Sequence, residues 1–162
     1  MKKLFAVLLL ISLMLLSACG GGDDYLLAES SIDFTSMAND PIVELKEEYF
    51  LAQLEDIYMN KERYLGKTIK IAGLFRNYYW EDLDSEFFTV YRNSPGCCGN
   101  DGQALLEVIW PDGIDTSYPE DGVWVEAVGV LEEYQEDQSF YLRLQLESLE
   151  EKEEHGAEFV TK

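Results

Sequence analysis

Ile69–Phe75 reads IKIAGLF and Val125–Leu131 reads VEAVGVL, and these two stretches decide the fold. In both, residues alternate over four places and a glycine follows at the fifth, Gly73 in the first and Gly129 in the second. A period of two marks a strand with one buried face. A glycine inside such a strand leaves nothing to pack, so it marks a bulge, a sharp bend or the close approach of another backbone. Interior glycines let a long strand bend enough to serve two sides of a small barrel.

Working outward, three further segments alternate in the same way. Phe87–Arg92 (FFTVYR) is rich in β-formers; Ala104–Trp110 sets Leu106, Val108 and Trp110 against Leu105, Glu107 and Ile109; Phe140–Leu146 sets Leu142, Leu144 and Leu146 against Tyr141, Arg143 and Gln145. With Thr68–Phe75 and Val123–Leu131, which follows an Asp121-Gly122 turn, five strands are predicted. Upstream, Asp40-Pro41 pairs an N-capping carboxylate with a proline at the first helical position. Val43, Phe50, Leu51, Leu54, Ile57 and Tyr58 then recur at helical spacing, predicting one amphipathic helix over about Ile42–Asn60. Five curled strands closed at one end by a helix make a mainly β, five-stranded OB-like barrel. A helix on an open sheet is the competing arrangement.

The first residues, MKKLFAVLLLISLMLLSA, join two lysines to an apolar stretch and then small residues, the pattern of a secretory signal over 1–18. The stretch closes on Leu16-Ser17-Ala18-Cys19, which resembles the bacterial lipobox, so Cys19 is expected to carry the lipid and become the new N-terminus. Several acyl chains, each methylene contributing about 0.8 kcal/mol, hold a protein on a membrane where one chain does not. The expected division is a signal peptide at 1–18, lipidated Cys19 and a tether to residue 39, the helix and barrel over 40–150, and an acidic tail over 151–162. The expected location is the extracytoplasmic face of a bacterial cell membrane.

Without the signal, ten basic side chains face thirty-two acidic ones, a charge of −22 on 144 residues. Nucleic acid is excluded as a partner, because its binding is driven by neutralising phosphates with basic groups. Ten tyrosines, eight phenylalanines and three tryptophans exclude a disordered acidic chain. The expected partners are the membrane, through the lipid, and an envelope protein or small ligand.

At YLGKTIKIAGLF (Tyr64–Phe75), NSPGCCGND (Asn93–Asp101) and DGVWVEAVGVLEEY (Asp121–Tyr134) the chain resembles the C-terminal extracytoplasmic domain of bacterial two-component permease subunits of unknown function. A strand ending in a Cys-Cys turn with a nearby Asp characterises that group. The resemblance spans Tyr64–Leu149, and the paired cysteines together with Trp124-Val125 are its most specific part. It implies an OB-like barrel outside the membrane and no particular reaction. The chain departs from those subunits in carrying a lipid anchor where they have transmembrane helices.

Three readings of Cys97-Cys98 stay open. Outside the cytoplasm thiols tend to oxidise, and with Cys19 lipidated each has only the other, so a strained, easily reduced vicinal disulfide is one. A metal site is the second: two thiolates with Asp101, and with Glu107 or Asp112 as further oxygen donors, are ligands for zinc. The third is a structural pair, one thiol packed inward as a small apolar group. No cofactor is otherwise called for. Catalysis lacks a base, since the single histidine, His155, falls in the glutamate-rich tail, and a non-enzymatic role is expected. Tyr78-Tyr79-Trp80, just after the first barrel strand, either alternates into the core or forms an exposed ligand surface beside the barrel.

Overall fold

The computed structural model describes residues 34–161, apart from 82, 83, 115 and 137. Cys19, the signal segment and the first part of the tether lie outside the described residues. Six strands and one α-helix make up the described chain: β1 (Ile42–Glu44), α1 (Phe50–Met59), β2 (Thr68–Trp80), β3 (Ser85–Gly96), β4 (Gly99–Ile109), β5 (Trp124–Glu136) and β6 (Ser139–Glu151).

β2 through β6 close into a barrel. β2 pairs antiparallel with β5 over Thr68–Leu74 and with β3 over Leu74–Trp80, so one strand serves two sides and changes partner at Leu74. Gly73 stands at that change, where a Cβ would lie 2.6 Å from the Tyr91 carbonyl oxygen. Gly129 marks an irregularity in β5, which keeps both its partners there. The β5–β6 register slips between Val128 and Gly129, and a Cβ on Gly129 would meet the Gln145 oxygen at 2.5 Å. β3 pairs antiparallel with β4, and a short parallel pairing of β4 with β6, Glu107–Ile109 against Arg143–Gln145, closes the ring. This is the strand order of an OB barrel.

The inward faces of the barrel meet the helix. Ile69, Ile71, Val90, Leu106, Val125 and Leu144 have no exposed surface, and Phe50, Leu54 and Ile57 of α1 cover them from one end. On the other side of the core, Tyr118 lies flat on Phe88 with ring centroids 3.7 Å apart and reaches the Trp110 backbone N–H with its hydroxyl oxygen.

The helix is shorter than its sequence pattern. Ile42–Glu44, expected in its first turn, instead forms β1, parallel to β2 at Thr68–Lys70. Asp40 therefore caps no α-helix; it ends a turn of 3-10 helix at Met37–Asn39. Two β-branched residues after a proline favour extension, and the edge of β2 offers them a ladder, so pairing overrides the helical spacing. Gln53, buried in α1, ties the link between the two. Its amide oxygen accepts the Lys46 N–H at 2.6 Å and its amide nitrogen donates to the Glu44 carbonyl at 3.3 Å.

The acidic tail, expected from its charge to be a solvated extension, departs from that. It returns to the barrel: the Asn93 N–H donates to the Glu158 carbonyl and the Val160 N–H donates to the Asn93 carbonyl, 2.8 and 2.9 Å, and Val160 is buried. His155 stacks on Trp124, centroids 5.4 Å apart. Arg92 organises this junction. Its guanidinium, 2 % exposed, lies between the rings of Phe50 and Trp124 and donates to Glu47 Oε2 (2.7 Å), the Ala72 carbonyl (2.8 Å) and the Ala157 carbonyl (3.3 Å).

Candidate functional site

β3 and β4 are joined by two residues, Cys97 and Cys98, between the paired glycines Gly96 and Gly99. A connection this short reverses the chain only if a neighbour takes an unusual backbone angle. Gly99 does so, with φ +127°, a value side chains disfavour. The register also slips between Ser94 and Gly96, which twists the hairpin end. Gly102 completes the fit, since a Cβ there would stand 2.6 Å from the Pro95 carbonyl.

This backbone puts both sulfurs on the outside. Cys97 and Cys98 are exposed free thiols with sulfurs 3.4 Å apart, and the Cys98 N–H points at Asp101 Oδ1, 3.4 Å away. One ligand atom from each of Cys97, Cys98 and Asp101 lies within 4.8 Å of the others. Thiolates about 2.3 Å from a tetrahedral zinc stand roughly 3.8 Å apart, a spacing near the 3.4 Å between the two sulfurs here. Among the described residues this is the one such group of three. Three protein ligands leave the fourth position to water or to another molecule's donor.

Of the oxygen donors expected beside them, Asp101 joins the cluster and Glu107 does not. Glu107 lies six residues further along β4, roughly 20 Å of extended strand. It accepts the Tyr134 hydroxyl at 2.5 Å, and burial raises its pKa against the opposing pull of that bond and of Arg143. Asp112 follows the far end of β4.

Tyr78, Tyr79 and Trp80 lie within β2, where it runs on with β3 beyond the barrel, and all three face outward, 51, 53 and 42 % exposed. Tyr78, Trp80 and Phe87 form an edge-to-face group, centroids 6.1 to 6.3 Å apart, while the Tyr79 hydroxyl donates to Asp84 Oδ1 at 2.5 Å. This end of the β2–β3 hairpin and the cysteine turn stand at opposite ends of β3, roughly 35 Å of strand apart. They are two sites.

The model of the DUF1980 C-terminal domain family matches residues 27–160. The chain belongs to the DUF1980 C-terminal domain family. The match takes in the helix and the returning tail, neither of which falls within Tyr64–Leu149. No curated protein matches the chain. Among the described residues no helix is long and apolar enough to cross a membrane.

Two features lie outside the readings made from the motifs. Arg92 sits on the inward face of β3 with Val90 and Ser94; strict alternation through FFTVYRNS would have placed its charge inside. A groove of about 830 Å³ between α1 and β4, bordered by Leu51, Met59, Pro95 and Leu105, depends on how the helix lies on the barrel and has no local signature.

Proposed function

We propose that this DUF1980 C-terminal domain is a lipid-anchored, extracytoplasmic binding module, an accessory of a permease-like envelope system, that takes zinc at the Cys97-Cys98-Asp101 turn. The observation that carries the reading is the convergence of two thiols and a carboxylate within 4.8 Å on an exposed hairpin end. Three further features support it. Two thiolates with a carboxylate are a donor set that zinc accepts. The net charge of −20 raises the local concentration of cations. The donors lie at the surface, so the bound ion keeps an open position through which it can pass to a partner's ligand. The module binds and hands over; it performs no catalytic step. Lipidation of Cys19 rests on Leu16-Ser17-Ala18-Cys19 and its apolar leader.

The test is intact mass, native and denatured, of the chain from residue 20 purified with zinc, followed by thiol alkylation. A single zinc adduct, lost on denaturation and absent from a Cys97→Ser, Cys98→Ser variant, is the expected result. No adduct, with both thiols alkylated under native conditions, sinks the metal reading. Alkylation only after reduction would make the pair a disulfide and also sink it.

A second reading is favoured by the exposure of all three aromatics at the β2–β3 end. That end flanks the usual ligand face of an OB barrel, and Tyr78 and Trp80 offer ring surface to a peptide or glycan.

A further inference from the structure

β4 is paired on one side only for most of its length. β3 lies along one edge, but β6 meets the other only at Glu107–Ile109, so from Gly99 to Leu106 no strand among the described residues occupies that edge. Two hydrogen-bond patterns show which groups face it. The Tyr58 hydroxyl donates to the Leu105 carbonyl at 3.0 Å, so Leu105 presents its backbone to the open side. Gln103 stands opposite Asn93, whose own N–H and carbonyl are engaged by Glu158 and Val160 of the tail. That pair therefore exchanges no backbone bonds, and Gln103 also turns its N–H and carbonyl outward. An unpaired edge is ordinarily blunted by lysine, proline or a covering element; Gly99–Leu106 contains neither residue.

The space beside this edge is a groove of about 830 Å³, walled opposite β4 by α1 through Leu51, Leu54, Tyr58 and Met59. Met59 is 81 % exposed. One wall thus offers backbone donors and acceptors every second residue, and the other offers apolar side chains. This combination fits an extended peptide and not a lipid tail, which would leave the Gln103 N–H and carbonyl and the Leu105 N–H without partners. The charge chooses the peptide's composition. Glu55 lines the groove, Asp101 stands at the outer end of the same strand, and the chain carries −20 overall. A second copy of this chain brings the same charge and is repelled; a basic segment is drawn in.

We infer that the open edge of β4, from Asp101 to Leu105, binds an extended segment of a partner protein by strand addition, the segment alternating apolar residues that enter the α1 groove with basic ones that meet the acidic surround. The inference differs from the zinc reading in resting on the backbone of β4 and not on the cysteines, and shares with it only Asp101. The two would act together, because a strand seated at Asp101 brings its next side chain beside the turn.

The test uses the chain from residue 20 and a fluorescent octapeptide alternating lysine and leucine, with anisotropy as readout. Two control peptides keep composition and charge: one scrambled to break the alternation, one N-methylated at every second amide so that its bonding edge is blocked. Binding of the parent peptide, weakened at least tenfold by N-methylation on the edge-facing amides, is expected. Gln103→Pro, which removes an outward N–H together with the side chain that accepts from Arg76, and Met59→Ser, which takes apolar surface from the groove without adding charge, should each weaken it at least fivefold. The Met59 variant keeps the test alive if the proline variant fails to fold. Equal affinity for the N-methylated or scrambled peptide would overturn the inference in favour of unspecific charge attraction. So would a dimer, detected by sedimentation, that Gln103→Pro dissolves, because the edge would then belong to a second copy. Loss of peptide binding in the double cysteine variant alone, with Met59→Ser unaffected, would overturn it too.

Discussion

Replacing Arg92 with leucine should loosen three parts of the molecule at once. Its guanidinium sits between Phe50 of α1 and Trp124 of β5, with its carbon 4.1 and 4.9 Å from the two ring centroids. Leucine keeps much of the apolar contact but loses both cation–π terms, about 0.5–1 kcal/mol each at exposed sites and about 2 when desolvated as here. The Ala72 carbonyl, which accepts from Nε at 2.8 Å, loses its donor, costing about 1–3 kcal/mol. The charge-assisted bond to Glu47 is lost as well, at the low end of about 1.5–3 kcal/mol because that carboxylate is 49 % exposed and rehydrates. Against these losses, leucine removes the need to desolvate a buried cation. The net is about 3 kcal/mol, or roughly a 10 °C fall in melting temperature for a domain of this size. Urea unfolding followed by tryptophan fluorescence reads it, since Trp124 is in contact with the substituted side chain. Arg92→Lys, which keeps the charge and drops the planar fork, should lose about half as much. An Arg92→Leu midpoint within 0.5 kcal/mol of the parent, at unchanged m-value, would refute the account of Arg92 as the tie between helix, barrel and tail.

Valine at Gly73 or at Gly129 puts a side chain against the Tyr91 or the Gln145 carbonyl and should lower stability by about 1–3 kcal/mol or more; unchanged melting of both variants would disprove the curled-strand geometry. His155→Ala loses an exposed stacking contact with Trp124 and should cost less than about 1 kcal/mol, with calorimetry as the check. At Glu47, burial pushes the carboxyl upward, but the Ala157 N–H and Arg92 bond its charged form and hold its pKa below the ordinary 4.5. A depressed carboxylate stabilises the fold fully above its unfolded value, and that contribution disappears as pH falls through the folded value. The Ala157 amide resonance should therefore titrate with a midpoint below 4.5 and stop titrating in Glu47→Gln; a midpoint above that value contradicts the tail lock. Cys19→Ala should release the expressed protein from membranes and abolish labelling by an alkyne fatty acid, and membrane retention of the variant would count against the lipid anchor.

Much of the barrel was legible in the sequence because strands advertise themselves locally. IKIAGLF and VEAVGVL announced both their buried faces and the glycines at which they bend, and NSPGCCGND announced a turn carrying the paired cysteines. Each of those signals depends on residues within a few positions of one another. The ends of the strands were less legible, since β2 and β3 run on as a hairpin past the point where the core stops rewarding alternation. At Tyr78–Trp80 the three aromatics are consequently all outside.

What tertiary structure alone decided concerns competition between distant segments. Ile42–Glu44 has helical spacing with Phe50 and Leu54, yet the vacant edge of β2 captures it, because a ladder of backbone bonds outweighs a weak helical preference. The tail carries charges enough for a solvated extension, yet Asn93 and Arg92 offer it partners 65 residues back along the chain. The sequence by itself determined the curled strands, the cysteine turn and the acidic field, all of which follow from local pattern and composition. Only the folded chain decided which strand edge stays open, which carboxylate joins the thiols and where a buried arginine finds its neighbours, because each of those depends on groups that closure of the barrel brings together.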